Sequence, residues 1–211
     1  SFSSRRTSSH CTVHIDNHDS SEFRSNEGWL QAPKKVIING PRTVPKEISS
    51  NEGTKIFEGA HDGYVKNFGL THVRKLKLSQ DGQSFEGEDL MIAIEDSHKR
   101  RFDKIFKKSG STQMSVKAAF HLHPNVRVRF DRENNRVSLA LKNGELWFFN
   151  YSLDSYLQLE PTIFFENGLF EPLESKKLIL SIELAEYGTK INWSLTRALD
   201  KDLSVGDFFS K

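Results

Sequence analysis

Asn143-Gly144 stands between two apolar runs, Val137-Ser138-Leu139-Ala140-Leu141 and Leu146-Trp147-Phe148-Phe149. Asp81-Gly82 stands in the same way between Leu76-Lys77-Leu78 and Phe85-Glu86-Gly87. A tight hairpin needs positive φ at its turn, which glycine reaches without steric cost, so each dipeptide commits its flanks to an antiparallel pair. Short apolar runs separated by turn residues recur along the chain. Strands are expected at 10–16, 34–39, 54–60, 70–79, 84–94, 115–123, 126–131, 136–142, 145–151, 156–160, 177–186 and 190–196. Sixteen Phe and three Trp supply large apolar surfaces for a β core. The expected fold class is all-β, an antiparallel β-sandwich of about a dozen strands. It is expected to occupy residues 1–196, with 197–211 as a mixed C-terminal tail. No stretch has a helical period, apart from a short turn near Leu153–Tyr156, and no internal repeat is evident.

Composition narrows the function classes. Hydrophobic residues make up 36% and charged residues 27%, the balance of a soluble globular chain. No apolar run approaches the length of a membrane span. A net charge of +2 gives no argument for nucleic acid. The lone Cys11 excludes an internal disulfide and any multi-cysteine zinc site. Periplasm and cytoplasm both remain open. The segment Ser97–Lys108 carries six Lys or Arg and a single Asp. A charge run of this kind reads as a solvated loop between strands. The functional alternative is a basic patch that attracts an acidic polysaccharide.

Three places hold residues able to do chemistry. Near the start, Cys11, Val13 and Ile15 alternate with His10, Thr12, His14 and Asp16. On one strand the second set shares a polar face, which would gather His10, His14 and Asp16 as potential ligands. His121-Leu122-His123 puts two imidazoles on one strand face, with Phe120 and Leu122 toward the core and Pro124 ending the strand. His72 and Arg74 lie on the face of their strand that becomes apolar at Leu76, where a satisfied structural pair with Asp62 or with Glu88-Asp89 is the expected role. No nucleophile elbow, phosphate-binding loop, dinucleotide fingerprint or triad spacing is present.

The ordered motifs carry a resemblance. Arg5-x-Thr7-x-x-His10-Cys11-Thr12-Val13 comes first, followed by Asp16 and Ser20-Ser21-Glu22-Phe23. His61-Asp62-Gly63-Tyr64, Phe68-Gly69-Leu70-Thr71-His72, Gly87-Glu88-Asp89 and Phe120-His121-Leu122-His123-Pro124 follow in order. Together they resemble the C-terminal half of heparinase II/III-like proteins of alphaproteobacterial type, with a departure at Cys11, where that family has Asn or Ser. The resemblance implies a β-sandwich that follows a helical toroid in a longer chain. It implies a parent that cleaves uronic-acid polysaccharides by β-elimination, a base taking the proton α to a carboxylate that a neighbouring group neutralises. In the family those roles fall to a toroid Tyr, a toroid Asn or His, and a β-domain His upstream of the motifs quoted. This chain is therefore expected to lack the catalytic core, and the expected partners are the toroid and an acidic polysaccharide. The resemblance also makes His10 the counterpart of a structural zinc ligand whose His and Asp partners lie upstream. Zinc is thus expected in the full-length parent rather than in this fragment.

Two further readings stand beside it. One is a non-catalytic carbohydrate-binding sandwich, with Trp29, Trp147, Tyr151 and Tyr156 stacking on sugar rings. The other is a cupin-like metal enzyme built on His121 and His123, which would need a Glu and a further His. A fragment of a larger sandwich is also expected to leave a sheet edge or face exposed where upstream strands belong.

Overall fold

The computed structural model describes residues 5–26, 34–108, 114–166, 171–184 and 186–198. Two antiparallel sheets face each other. In chain order the strands are β1 (Val13–Ile15), β2 (Glu22–Asn26), β3 (Lys34–Asn39), β4 (Lys46–Asn51), β5 (Thr54–Tyr64), β6 (Leu70–Leu78) and β7 (Ser84–Ile92). There follow β8 (Ser115–His121), β9 (Arg127–Asp131), β10 (Arg136–Ala140), β11 (Leu146–Tyr151), β12 (Tyr156–Phe164), β13 (Leu173–Glu183) and β14 (Gly188–Arg197). The larger sheet has the order β4-β5-β6-β7-β14-β11-β10-β9 and the smaller β1-β8-β13-β12, while β2 and β3 form a separate ribbon. The all-β sandwich is what the runs and turns predict.

The core lies between the sheets. Val13, Ile15, Val116, Ala118, Leu178 and Leu180 of the smaller sheet meet Tyr64, Leu70, Met91, Val137, Phe149, Ile191 and Trp193 of the larger. Phe120 of β8 bridges the layers edge-on, 4.8 Å from Phe149 and 4.9 Å from Trp193 between ring centroids. Burying each such side chain contributes about 1.5–3 kcal/mol. Both hairpins form as expected, with Gly82 at φ 69° and Gly144 at φ 88°. Gly87 has a different task. A Cβ there would lie 2.1 Å from the Trp193 ring on β14, so only glycine lets the indole lie flat on β7.

Three expectations need correction. The segment read as a solvated loop is a helix, α2 (Asp96–Lys108), preceded by the single-turn helix α1 (Val65–Phe68). Phe102, Ile105 and Phe106 recur at i, i+3 and i+4 and pack on the core, while Arg100, Arg101, Lys104 and Lys107 are exposed. Three apolar positions among six cations hide that period. Phe102 stacks on Phe106 and meets the Tyr187 ring, whose hydroxyl donates to Asp103. Second, the chain has two strands beyond those expected, β2 and β4. All six residues of β4 are exposed, and the strand exists through its pairing with β5 rather than through an apolar face of its own. It forms an exposed sheet edge carrying Lys46 and Glu47. Third, the first strand covers only Val13–Ile15 and not 10–16. Thr7–Ser9 form a 3₁₀ turn, with Ser9 and His10 N–H donating to the carbonyls of Arg6 and Thr7, which delays the strand. At the other end of the chain, β12 runs through Pro161 to Phe164, tolerable because β12 is an edge strand.

Candidate functional site

Three neighbouring strands bring His61 (β5), His72 (β6) and Asp89 (β7) to the inner face of the larger sheet. The register sets His61 opposite His72 and Arg74 opposite Asp89. The Asp89 carboxylate is wholly buried and accepts four bonds. His72 Nε2 donates at 2.7 Å, Arg74 Nε at 2.7 Å and Nη2 at 2.9 Å, and Trp193 Nε1 at 3.1 Å. Burial alone would raise its pKa, but the His72 and Arg74 bonds outweigh that and hold it at about 2. The chain of bonds fixes the tautomers. Gly63 N–H donates to His61 Nδ1 at 3.2 Å, so His61 carries its proton on Nε2 and donates to His72 Nδ1 at 3.2 Å. His72 in turn carries its proton on Nε2, toward Asp89. Burial, then the neighbouring His72, push the His61 pKa down to about 4. Every ring nitrogen in this relay is engaged, so neither imidazole has a lone pair free to take a substrate proton.

The network reaches the N-terminal segment. Arg74 Nη1 donates to the Cys11 carbonyl at 2.7 Å, and the buried Tyr64 hydroxyl donates to the Val13 carbonyl at 2.8 Å. Both donors belong to the larger sheet, whereas β1 itself pairs with β8 of the smaller one. His121 N–H donates to Cys11 Sγ and His121 Nε2 to the Ser8 carbonyl, and Asp19 accepts from Thr7 N–H and from Arg6. The segment is thus clamped from both layers, with His10 and Cys11 exposed on it.

The expected ligand set does not share one face. His10 lies in the bend after the 3₁₀ turn, while His14 is buried and its Nδ1 donates to the Asp16 carbonyl. Asp16, at φ 45°, accepts from the Ser115 backbone and hydroxyl. Among the described residues, no three His, Cys, Asp or Glu side chains are grouped to hold a metal. Zinc at His10 would therefore need donors from beyond them. His121 and His123 turn to different partners: His121 to Ser8 and Thr162, His123 to the Asn125 N–H and the Phe164 ring. The pair between Arg74 and Asp89 agrees with the structural role expected for it. Asp62 instead caps the Arg42 and Thr43 N–H groups, and Glu88 pairs with Lys190. Of the proposed stacking aromatics, Trp147 and Tyr151 pack against the core, Tyr156 is exposed, and Trp29 lies outside the described residues. No spacing in the sequence assigns His61 a partner; the sheet register does, by setting it opposite His72.

Comparison with known proteins gives three findings. Residues 3–194 match the family described as "Heparinase II/III-like, C-terminal". FtsZ-localized protein C of Caulobacter vibrioides is 26% identical over 164 residues, covering 77% of this chain and 27% of that protein. Among solved structures, heparan sulfate lyase HepC from Pedobacter heparinus superposes with a TM-score of 0.65 at 13% identity, over 94% of this chain and 25% of that one. A heparinase III structure gives 0.62 at 12% identity, over 92% and 24%. The chain thus spans about a quarter of the length of these relatives, and the structural likenesses speak for the fold alone.

Proposed function

The chain belongs to the heparinase II/III-like C-terminal family, and on that premise we propose that it is the sandwich domain of a protein acting on uronic-acid polysaccharides by β-elimination, with the catalytic base and neutralising group supplied from outside this chain. The observation that carries the reading is the clamp on residues 5–20. Arg74 and Tyr64 from one sheet and His121 from the other hold the backbone on which His10 is displayed. A domain that positions a loop for a neighbouring cleft needs such a clamp. The His61–His72 relay offers no free imidazole nitrogen for proton transfer. The test is a screen of the full-length protein on heparan, alginate and hyaluronan, read by the ultraviolet absorbance of the unsaturated uronate. Release from any of them supports the reading; release from none removes the lyase activity.

In the same full-length protein, His10 is proposed as a zinc ligand completed by donors from outside this chain. His10→Ala should lower metal content and thermal stability together. Equal zinc in both proteins would leave His10 as a surface histidine.

A second reading is favoured by a specific observation: the identity to FtsZ-localized protein C is twice that to the lyases. In that reading the domain keeps the sandwich fold and serves localisation with FtsZ. Co-sedimentation with FtsZ filaments, together with no product in the polysaccharide screen, would favour it. A third reading, the non-catalytic carbohydrate-binding sandwich, predicts oligosaccharide binding without product.

A further inference from the structure

Outside the clamp and the relay, the most pronounced charge feature is the outer face of α2 and the groove beside it. The groove, about 370 Å³, runs between α1, α2 and the β3–β4 connection, and Arg42, Lys66, Arg101, His98 and Asp62 line it. Asp62 is occupied by the Arg42 and Thr43 backbone N–H groups. Lys66 lies 3.7 Å from Glu22, and Arg101 ties α2 to α1 by donating to the Lys66 carbonyl. The Arg42 guanidinium has no ion-pair partner among the described residues. Arg100, Lys104 and Lys107 follow at i, i+4 and i+7 along the exposed face of α2, and Arg101 flanks that stripe toward the groove. The acidic residues of the helix are already engaged, Asp96 with Lys99 and Asp103 with Tyr187.

A second observation comes from His98. Its Nδ1 is buried without a hydrogen-bond partner among the described residues, and its ring lines the groove. Its Nε2 faces Glu95 at 3.7 Å. A buried ring nitrogen without a partner beside an unpaired guanidinium means that the polar groups of this groove are not satisfied by the chain's own described residues.

We propose that this groove and the adjoining basic stripe of α2 bind an acidic glycan, an anionic group entering between Arg42, Arg101 and His98 while the chain continues along Arg100, Lys104 and Lys107. The proposal rests on the preceding reading that the protein acts on acidic polysaccharides, and adds a docking site away from the clamped His10 segment. The groove is recessed, whereas a bilayer presents a flat surface. The apolar residues of α2 are committed to the core and leave nothing to insert into lipid.

The test measures binding of a size-defined sulfated heparin oligosaccharide to this chain at several salt concentrations, with a neutral oligosaccharide of equal length as control. Affinity should fall as salt rises. The double variant Arg42→Glu/Arg101→Glu should weaken binding about tenfold or more. Arg101 also holds α1 to α2, so Arg100→Glu/Lys104→Glu provides a second variant confined to the surface. It should weaken binding severalfold with an unchanged circular dichroism spectrum. Binding within about twofold of the wild type in both variants would overturn the proposal. So would failure to bind at low salt, or binding only to vesicles of phosphatidylglycerol and phosphatidylcholine. Product release by the full-length protein is scored separately. Lost binding with retained release overturns the groove alone, and retained binding without release overturns the lyase reading alone.

Discussion

Arg74 and Asp89 face each other across β6 and β7 as a two-pronged ion pair, Nε 2.7 Å from Oδ1 and Nη2 2.9 Å from Oδ2, and the third guanidinium nitrogen reaches the Cys11 carbonyl. A buried carboxylate thus sets the position of an arginine that holds the N-terminal segment.

Asp89→Asn should be among the most damaging conservative changes in the chain. It removes the charge that offsets Arg74 and leaves both Arg74 and His72 facing a neutral amide. Breaking one partner of a buried pair costs about 3–5 kcal/mol. Urea denaturation measures it, and a loss under about 1 kcal/mol would mean the pair does little for stability.

Stability should fall with acid in two stages. The His61 pKa of about 4 lies below the ordinary value of 6.5, so between them the unfolded chain binds a proton that the folded chain does not. The contribution of His61 is complete above pH 6.5 and declines as the pH drops toward about 4. Asp89 acts lower down: its contribution is complete above 3.8 and declines only toward about 2. His61→Gln should flatten the dependence of Tm on pH in the upper window and spare the lower one. His14 and His121, also held down by burial, keep part of the upper slope. An unchanged upper slope would remove His61 from the account.

Gly87→Ala tests the packing around the relay. The added methyl must displace the Trp193 indole, whose Nε1 bonds Asp89. A loss of about 1–3 kcal/mol is expected, with a shift in tryptophan emission. Wild-type stability and emission would mean that β7 and β14 absorb the methyl without moving the ring.

Much of the fold was legible because hairpin glycines and alternating apolar residues act locally: Gly82, Gly144 and the runs around them define their hairpins unaided. β4 was not legible, since Lys46–Asn51 have no apolar face and depend on β5. α2 was obscured because Phe102, Ile105 and Phe106 are outnumbered by cations. A carboxylate partner for Arg74 was legible, with Asp62, Glu88 and Asp89 all open; the β6–β7 register selects Asp89. The extension to His61 was not legible, because it depends on the register of β5 against β6, and no sequence spacing records which strands neighbour one another.

The most direct test of the central claim, that this domain positions rather than catalyses, is to incubate the isolated chain with heparan, alginate and hyaluronan and follow the absorbance of unsaturated uronate. No product above the protein-free control is predicted. Sustained release that disappears on substitution of a residue within this chain would contradict the claim.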